Sequence, residues 1–297
     1  MHKPVLLNEV LEYLNPQPGG VFIDATINGG GHAEAIAKQI GKTGKLLGID
    51  RDCTLLQSEP LSYKLQVTSY KLVCDTFANI QHIAEEQGFT KVNGILFDLG
   101  FSSFHIEESG RGFSFLRDEP LDMRYNTESG ASARDIVATW PEEKLNNIFF
   151  TLGGERYARR IARRLVEERE RAPVSTTAQL VEIIRKAVPR AYWHGRIHFA
   201  TRTFQALRMC VNEELEHVAK GIAGAISLLA SGGRIAIISF HSGEDRIVKE
   251  LFRQYEREGI MRRVTKKPLR SSRVENAENP RARSAKLRVA ERVQKKL

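Results

Sequence analysis

The sequence predicts an α/β protein in which a doubly wound parallel sheet is interrupted by an all-helical insertion. Over the first hundred residues, short apolar runs alternate with helical patterns, as expected for parallel strands joined by helices. The predicted strands lie near residues 20–25, 45–50, 66–73 and 92–98. From about residue 105 to residue 200 the chain shows helical periodicity and loops but no convincing strand.

The alternation of strands and helices resumes after the insertion. A helix is predicted around residues 204–230, and Ser231-Gly-Gly-Arg-Ile-Ala-Ile-Ile-Ser239 indicates a turn followed by a buried strand. We therefore expect one sheet domain formed by residues 1–104 and 204–297, with residues 105–203 as an inserted helical domain. A chain of 297 residues that is 41% hydrophobic is large enough for this arrangement.

A glycine-rich turn follows the first predicted strand. The segment Asp24-Ala-Thr-Ile-Asn-Gly-Gly-Gly-His32 leads into a helical pattern over residues 33–40, and the next apolar run ends at Asp50. This order of strand, turn, helix, strand and acid is typical of a nucleoside-binding βαβ unit. The Asp50 carboxylate can accept hydrogen bonds from both hydroxyls of a ribose. An ordinary tight turn without a ligand is the alternative interpretation.

The loop alone does not decide which nucleoside binds. The dinucleotide fingerprint Gly-x-Gly-x-x-Gly fails at Glu34, whose carboxylate would also oppose a pyrophosphate at the helix N-terminus. The pattern of S-adenosylmethionine enzymes, Asp-x-Gly-x-Gly-x-Gly, is met only in part. Asp24 and Gly30 match it, whereas Thr26 and Asn28 stand where glycine is usual. Asn28 is tolerable there because asparagine readily adopts positive φ.

Ligands of such sheets bind at the carboxyl ends of the strands. The residues expected there are Asp24, Asp50, Cys74-Asp75-Thr-Phe77, Asp98-Leu-Gly-Phe-Ser-Ser103 and Ser239-Phe-His-Ser242. Asp98 follows four apolar residues and precedes leucine and glycine, so we interpret it as functional. We expect the serines to cap the helices that follow. His241 could act as a base, although no nucleophile is paired with it in the sequence.

Positive charge is concentrated near the C-terminus. The chain carries a net charge of +9, and residues 262–297 hold 13 basic and 3 acidic residues. Residues 261–265 and 286–293 alternate like strands. We therefore expect an ordered basic edge that meets a polyanion such as nucleic acid. A disordered solubilising tail is the alternative.

A second basic element lies within the predicted insertion. Residues 155–171 form a strong amphipathic helix pattern, and its arginines lie beside and opposite the apolar stripe. The stripe consists of Tyr157, Ile161, Leu165 and Val166. Ion pairs with the nearby glutamates and an orientation toward RNA are two interpretations that the sequence leaves open.

Several other kinds of site fit poorly. Cys53, Cys74 and Cys210 are few, odd in number and widely spaced, so neither a disulfide framework nor a zinc site is predicted. His194 and His198 lie four residues apart, but no further ligands complete a metal site. No apolar run approaches the roughly 18 residues of a membrane span, and the N-terminus lacks the apolar core of a signal peptide. We expect a cytoplasmic protein without a metal.

Blocks along nearly the whole chain resemble the bacterial 16S ribosomal RNA cytosine-N4 methyltransferases, the MraW-type family. The blocks are His2-Lys-Pro-Val-Leu-Leu-Asn-Glu-Val10, Gly30-Gly-His32, Gly48-Ile-Asp-Arg-Asp52, Asp98-Leu-Gly-Phe-Ser-Ser103, Arg111-Gly-Phe-Ser-Phe115, Pro120-Leu-Asp-Met-Arg124, Glu155-Arg-Tyr-Ala-Arg-Arg-Ile-Ala162, His198-Phe-Ala-Thr-Arg-Thr-Phe-Gln-Ala-Leu-Arg208, Ser239-Phe-His-Ser242 and Asn279-Pro-Arg-Ala-Arg-Ser-Ala-Lys-Leu-Arg288. The resemblance implies a Rossmann-like doubly wound methyltransferase sheet with an inserted helical domain that recognises RNA. It also implies S-adenosylmethionine as cofactor and N4 of a cytosine in the decoding region of 16S rRNA, free or in the small subunit, as target.

The resemblance also implies roles for individual residues. The cofactor-binding residues would be Gly30, Gly31 and His32 at the methionine end, Asp50 at the ribose, Phe77 at the adenine face, Asp98 on the far side, and His105. Asp98 is also the candidate catalytic acceptor for the target amine, and a flipped base could stack on Phe101, Phe104 or Tyr125. The chain departs from the family pattern at Asn28, Phe101, His105, Asn126 and Gly243.

Two rival functions remain. A nicotinamide-dependent oxidoreductase would use the same loop and Asp50, but the missing third glycine opposes it. A non-catalytic RNA-binding protein would explain the basic segment but not the cofactor loop. The sequence does not distinguish a monomer from a homodimer.

Overall fold

The computed structural model describes residues 4–56, 65, 69–99, 109–128, 130–195 and 197–293. The chain divides into two compact units. One, which we call the sheet unit, comprises Met1–Phe101 and Leu215–Leu297, and the other, the helical unit, comprises Ser102–Glu214. No helix within the described ranges is long and apolar enough to cross a membrane.

The sheet unit contains a seven-stranded sheet within the described residues. Its strands are β1 (Val21–Asp24), β2 (Lys45–Asp50), β3 (Ser69–Cys74), β4 (Val92–Asp98), β5 (Leu229–Ser239), β6 (Met261–Arg263) and β7 (Lys286–Arg292). The strand order is β3-β2-β1-β4-β5-β7-β6. Strands β1 to β5 are parallel, which confirms the predicted sheet, whereas β7 is antiparallel to both β5 and β6.

Helices cover both faces of the sheet. The helices of the described residues are α1 (Leu7–Leu14), α2 (Gly31–Ile40), α3 (Cys53–Leu56), α4 (Ile80–Gln87), α5 (Ala133–Thr139), α6 (Glu142–Thr151), α7 (Ala158–Arg169), α8 (Thr177–Ala187), α9 (Arg190–Trp193), α10 (Thr201–Val211), α11 (Glu214–Leu228), α12 (Ser242–Arg257) and α13 (Arg273–Glu278). Phe22 and Leu96 pack with α1 and α2, while Ile23 and Ile95 pack with α4, α11 and α12. Because both faces are buried, the strands appear in the sequence as continuous apolar runs.

The basic C-terminal segment is ordered over residues 262–293. Strands β6 and β7 lie at one side of the sheet, with β6 at its edge, so the expected ordered edge is confirmed over residues 261–293. The alternative of a disordered tail is wrong for these residues. Four consecutive residues of β7, Leu287 to Ala290, are buried because the strand lies between β5 and β6.

The helical unit has its own core, formed by residues of α5 to α8 and α10. On α7, Ala158, Ile161, Ala162 and Leu165 are buried. The predicted helix over residues 204–230 is two helices, because Glu213 has a φ of 50° and interrupts it. Helix α10 packs on α5 and α6, so this unit extends to Glu214, whereas the sequence placed its end at residue 203.

One prediction about cysteine is wrong. Cys53 and Cys74 form a disulfide, with their Cα atoms 5.1 Å apart. The two residues are 21 positions apart in the sequence. They meet because β2 and β3 are parallel neighbours, with Asp50 paired to Cys74. Cys53 follows the end of β2 and therefore lies beside the end of β3.

Candidate functional site

Three aspartates end neighbouring strands at the carboxyl edge of the sheet unit. Asp24 ends β1, Asp50 ends β2 and Asp98 ends β4. The strand order reverses direction between β1 and β4, so Asp24 and Asp98 flank the switch point where doubly wound sheets bind ligands. The structure thus brings together three of the acids that the sequence indicated.

Asp24 is fully buried. Its Oδ1 accepts a hydrogen bond of 3.1 Å from the Thr26 backbone N–H, and its Oδ2 has no hydrogen-bond partner among the described residues. Burial raises the pKa of this carboxyl well above its ordinary value, although the bond from Thr26 opposes the rise. The negative charges of Asp98 and Asp50 raise this pKa further.

Asp50 is held at the end of β2 by backbone donors. Its Oδ2 accepts from the Asn28 N–H at 2.8 Å, and its Oδ1 accepts from the Asp52 N–H at 2.9 Å. One N–H on each oxygen fixes the plane of the carboxylate before any ligand arrives. The side chain remains half-buried rather than enclosed.

The backbone conformation of the glycine-rich loop is compatible with its non-glycine residues. Asn28 has a φ of 48°, as its residue type allows, and its side-chain amide donates to the Asp98 carbonyl at 3.4 Å. Gly30 has a φ of 75°, where a side chain would be strained. A Cβ on Gly31 would lie 3.1 Å from the Pro4 ring, so Gly31 allows close packing against the N-terminal segment.

Thr26 has a role that the sequence reasoning missed. Its hydroxyl oxygen accepts a hydrogen bond of 2.6 Å from the Asp98 N–H. The hydroxyl therefore joins the loop after β1 to the end of β4 across the switch point. The available signal was the departure from glycine at this position of the loop pattern.

Asp98 is 4% exposed and contacts His32, which is 5% exposed. Nδ1 of His32 lies 3.5 Å from Oδ2 of Asp98, and Nε2 lies 2.9 Å from the Val5 carbonyl oxygen. A carbonyl only accepts, so Nε2 must donate to Val5. Nδ1 therefore carries a proton toward Asp98 only when the imidazole is charged.

The end of β3 places Phe77 beside this edge. Asp75 accepts from the Thr76 N–H at 2.6 Å, and the Thr76 hydroxyl accepts from the Ala78 N–H, which begins a short 3₁₀ turn. The Phe77 ring meets Phe97 edge-on at 5.6 Å and is half-buried. A Cβ on Gly221 would lie 2.8 Å from the Phe77 ring, so this glycine lets α11 approach it.

At the end of β5 the predicted serine cap is wrong. Nδ1 of His241 accepts from the Glu244 N–H at 3.4 Å and caps α12, while Glu244 accepts from the His241 N–H in return. Ser239 is instead the last residue of β5, and its hydroxyl donates to the Lys286 carbonyl. Ser242 is the first residue of α12. His241 is therefore a capping residue, signalled in the sequence by a glutamate three positions later.

Other predicted residues lie elsewhere or outside the described ranges. Phe101, Ser102, Ser103, Phe104 and His105 are outside the described residues. In the helical unit, Tyr125 stacks on Phe113 with ring centroids 5.3 Å apart. His198 stacks on Phe115 at 4.5 Å, and burial lowers the pKa of its imidazole.

The two remaining departures from the family pattern have local explanations. Asn126 is exposed, and its side-chain oxygen accepts from the Glu128 N–H at 2.9 Å. A Cβ on Gly243 would lie 3.1 Å from Nδ1 of His241. Glycine therefore leaves room for the capping imidazole at the start of α12.

The basic C-terminal segment divides into paired and exposed cations. Asp245 accepts from Arg288 at 2.7 Å and from Lys286 at 3.0 Å. Burial alone would raise the pKa of Asp245, but these two cations outweigh it and hold the pKa below its ordinary value. The exposed cations that make no ion pair with the described residues are Lys266, Lys267, Arg270, Arg273 and Arg283.

The carboxyl edge is complementary to a particular kind of ligand. The Asp50 carboxylate only accepts hydrogen bonds when it is ionised, and Oδ2 of Asp24 is a buried polar atom that no described residue satisfies. A ligand that brings hydroxyl or ammonium donors and positive charge matches these residues. A pyrophosphate would bring further negative charge to an acidic edge and does not match.

The chain is similar over almost its whole length to one protein family and to curated proteins of a single name. A sequence model described as the MraW methylase family matches residues 1–293. The Ribosomal RNA small subunit methyltransferase H of Geobacter sulfurreducens is 45% identical, covering 98% of this chain and 99% of its own. The proteins of that name from Trichlorobacter lovleyi and Dictyoglomus thermophilum are 42% and 43% identical, and each covers 98% of this chain. The matches cover 98% and 97% of those two proteins, respectively.

Proposed function

The chain belongs to the MraW methylase family, and from this premise we propose that it methylates the exocyclic N4 of a cytosine in the decoding region of 16S ribosomal RNA. The cofactor is S-adenosylmethionine, and the fold is the doubly wound α/β fold of such transferases. The acceptor-rich carboxyl edge suits this cofactor, whose sulfonium and ammonium groups are positive and whose ribose brings two hydroxyl donors.

Residues of the sheet unit would hold the cofactor. Asp50 accepts the ribose hydroxyls, and its fixed carboxylate plane supports this role because no reorientation is needed on binding. Phe77 contacts the adenine face, for which its half-buried ring leaves surface. The methionine end and the far side are assigned, on the family resemblance, to Gly30, Gly31, His32, Asp98 and His105.

Asp98 is the proposed hydrogen-bond acceptor for the target amine. S-adenosylmethionine supplies an electrophilic methyl group, so the residues need only position the nucleophile and manage its protons. The amine of cytosine is a weak nucleophile because its lone pair is delocalised into the ring. Asp98 accepts a hydrogen bond from this amine and stabilises the positive charge that develops on nitrogen. The contact of 3.5 Å between Nδ1 of His32 and Oδ2 of Asp98 supports this role, because it holds the carboxylate in place.

The substrate is 16S rRNA, free or within the small ribosomal subunit. The relatives are named for methylation of small-subunit ribosomal RNA. The exposed cations of the C-terminal segment support an RNA partner, because a polyanion is attracted to unpaired positive charge. We accordingly infer that the protein acts in the cytoplasm, where small subunits are assembled.

Transfer of a tritiated methyl group tests the proposal. Unmethylated small subunits and protein-free 16S rRNA are offered separately, and the modified nucleoside is identified after digestion. N4-methylcytidine at a decoding-region position is the expected product. Label on another base or position, or no label on either substrate, contradicts the proposal. A parallel titration should show binding of S-adenosylhomocysteine and none of NADH.

A further inference from the structure

Helix α7 of the helical unit has two contrasting faces. The buried face carries Ala158, Ile161, Ala162 and Leu165. The opposite face carries the exposed Arg159, Arg160 and Arg163, and the exposed Arg156 lies in the turn just before the helix; we call these four residues the arginine ridge. Residues three and four positions apart lie on one side of a helix, so Arg159 and Arg160 both neighbour Arg163. Arg156 adjoins them at the start of the helix, where Arg156 and Arg160 both lie over the Tyr157 ring.

Other arginines of this helix form ion pairs with glutamates or donate hydrogen bonds to backbone carbonyl groups. Arg164 lies 2.7 Å from Glu168 and 3.5 Å from Glu167. Arg169 donates to the carbonyl oxygens of Val137 and Trp140 at 2.8 and 2.7 Å. In contrast, no ridge arginine makes an ion pair with any residue that the structure describes. Ion pairing with the nearby glutamates therefore describes Arg164, but it does not describe the arginines of the ridge within the described residues.

Aromatic rings hold one end of the ridge in place. The Arg156 guanidinium carbon lies 4.7 Å from the ring centroids of both Tyr157 and Tyr192, and Arg160 lies 5.8 Å from Tyr157. The fully buried Glu155 holds the Tyr192 ring and the Tyr157 backbone, since it accepts from the Tyr192 hydroxyl and the Tyr157 backbone N–H, each at 2.8 Å. Stacking on rings restrains the guanidinium but does not neutralise its charge as a carboxylate would.

We propose that the arginine ridge binds the phosphate backbone of the RNA substrate, an assignment that rests on the proposed function. Four exposed guanidinium groups without carboxylate partners offer planar N–H donors that match phosphate oxygens. The tyrosines beneath Arg156 and the neighbouring Trp193, itself covered by Arg185 at 5.1 Å, favour a nucleic acid because bases and guanidinium planes stack on such rings.

A matched pair of double variants tests the ridge. Arg159→Gln with Arg163→Gln removes two ridge charges spaced four residues apart. Arg253→Gln with Arg257→Gln removes two exposed charges at the same spacing on α12 of the sheet unit. Filter binding of protein-free 16S rRNA is measured between about 50 and 200 mM salt. The log–log salt slope should fall by roughly 1.4 in the ridge variant, about 0.7 per lost contact, and change little in the control.

Further variants guard against misfolding. Arg159→Lys with Arg163→Lys retains both charges and should restore the slope, since counterion release depends on charge. Circular dichroism melting curves that match the wild type show that each variant is folded. Equal slopes in the ridge variant and the wild type, or equal losses in ridge and control variants, overturn the proposal. So does a loss confined to assembled subunits, which would indicate contact with a ribosomal protein.

The binding assay is independent of methyl transfer. If the wild type methylates no RNA yet the ridge variant still loses salt dependence, the proposed function fails while RNA binding by the ridge stands. If methylation of cytosine N4 is found and ridge and control variants bind alike, only the ridge assignment fails.

Discussion

Asp24, Asp50 and Asp98 are identical in chemistry and differ in their surroundings. Burial favours the protonated carboxyl of Asp24, two backbone N–H groups fix the carboxylate of Asp50, and His32 contacts Asp98. The environment therefore gives each residue a different property: a raised pKa for Asp24, a fixed acceptor at Asp50 and a contact with an imidazole at Asp98.

The raised pKa of Asp24 predicts a dependence of stability on pH. The folded protein binds this proton more tightly than the unfolded chain, so the free energy of unfolding falls as pH rises from about 4 through the folded pKa. Asp24→Asn removes the titrating group. The stability of the wild type relative to this variant should therefore decline over that range, as measured by urea unfolding at successive pH values. A constant difference would contradict the assignment.

Asp50→Ala should weaken binding of S-adenosylmethionine by about 2–4 kcal/mol, because two charge-assisted hydrogen bonds to the ribose are lost. Isothermal titration calorimetry measures the change. Glu86→Ala is the control, since Glu86 is an exposed carboxylate on α4 and is not one of the strand-end residues. Unchanged affinity in a folded Asp50→Ala protein would remove Asp50 from the site.

Asp98→Asn separates chemistry from binding. The amide keeps the shape of the side chain but replaces one acceptor oxygen with a donor. Methyl transfer in a single turnover should fall by about 10²–10³, the scale for losing one preorganised electrostatic contact. RNA affinity should change little because phosphate contacts dominate it. Normal transfer at saturating cofactor, with weakened cofactor affinity, would leave Asp98 as a cofactor-holding residue only.

At the level of elements, the strands were the most predictable part of the fold. Apolar runs located β1, β2 and β4 closely, because strands buried on both faces leave long apolar stretches. The split between α10 and α11 was not predictable, since it depends on the positive φ of one residue, Glu213. Glutamate gives no sequence signal for that conformation.

The candidate site was predictable where strand ends carry acids and less so where strand order matters. Asp24, Asp50 and Asp98 follow apolar runs, so their common edge could be inferred. The disulfide of Cys53 and Cys74 could not, because it depends on β3 lying beside β2, which the spacing of residues does not encode.

Strand β7 and the loop after β6 should respond differently to loss of charge. Arg288→Ala leaves Asp245 without its closest cation and should lower the free energy of unfolding by about 2–4 kcal/mol. Lys266→Gln with Lys267→Gln should change stability by less than about 0.5 kcal/mol. It should instead flatten the salt dependence of RNA binding by roughly 0.7 per contact. Urea unfolding and filter binding measure the two effects, and the reverse pattern would refute this division.

For the whole molecule, the fluorescent probes and the reducible bond lie in different units. Both tryptophans, Trp140 and Trp193, lie in the helical unit, whereas the disulfide lies in the sheet unit. Because each unit has its own core, we expect them to unfold separately in urea. A reductant should destabilise the sheet unit by about 3 kcal/mol. The part of the circular dichroism change that comes from the sheet unit should shift, while the part from the helical unit and the tryptophan fluorescence transition should stay in place.

Cys53→Ser serves as the control for this experiment. The variant lacks the disulfide, so the reductant should have no further effect on either transition. A fluorescence transition that moves together with the circular dichroism transition in the wild type would show that the two units unfold as one.

The insertion between β4 and β5 also has a consequence during translation. Strand β4 ends at Asp98 and its parallel neighbour β5 begins at Leu229, so about 130 residues must be synthesised before the two can pair. At roughly 5–20 residues per second, this delay is on the order of ten seconds. The helical unit emerges from the ribosome within that interval and can complete its own core first. During this time β4 is an unpaired edge strand of the nascent sheet. Chaperone binding would protect this edge from pairing with other chains.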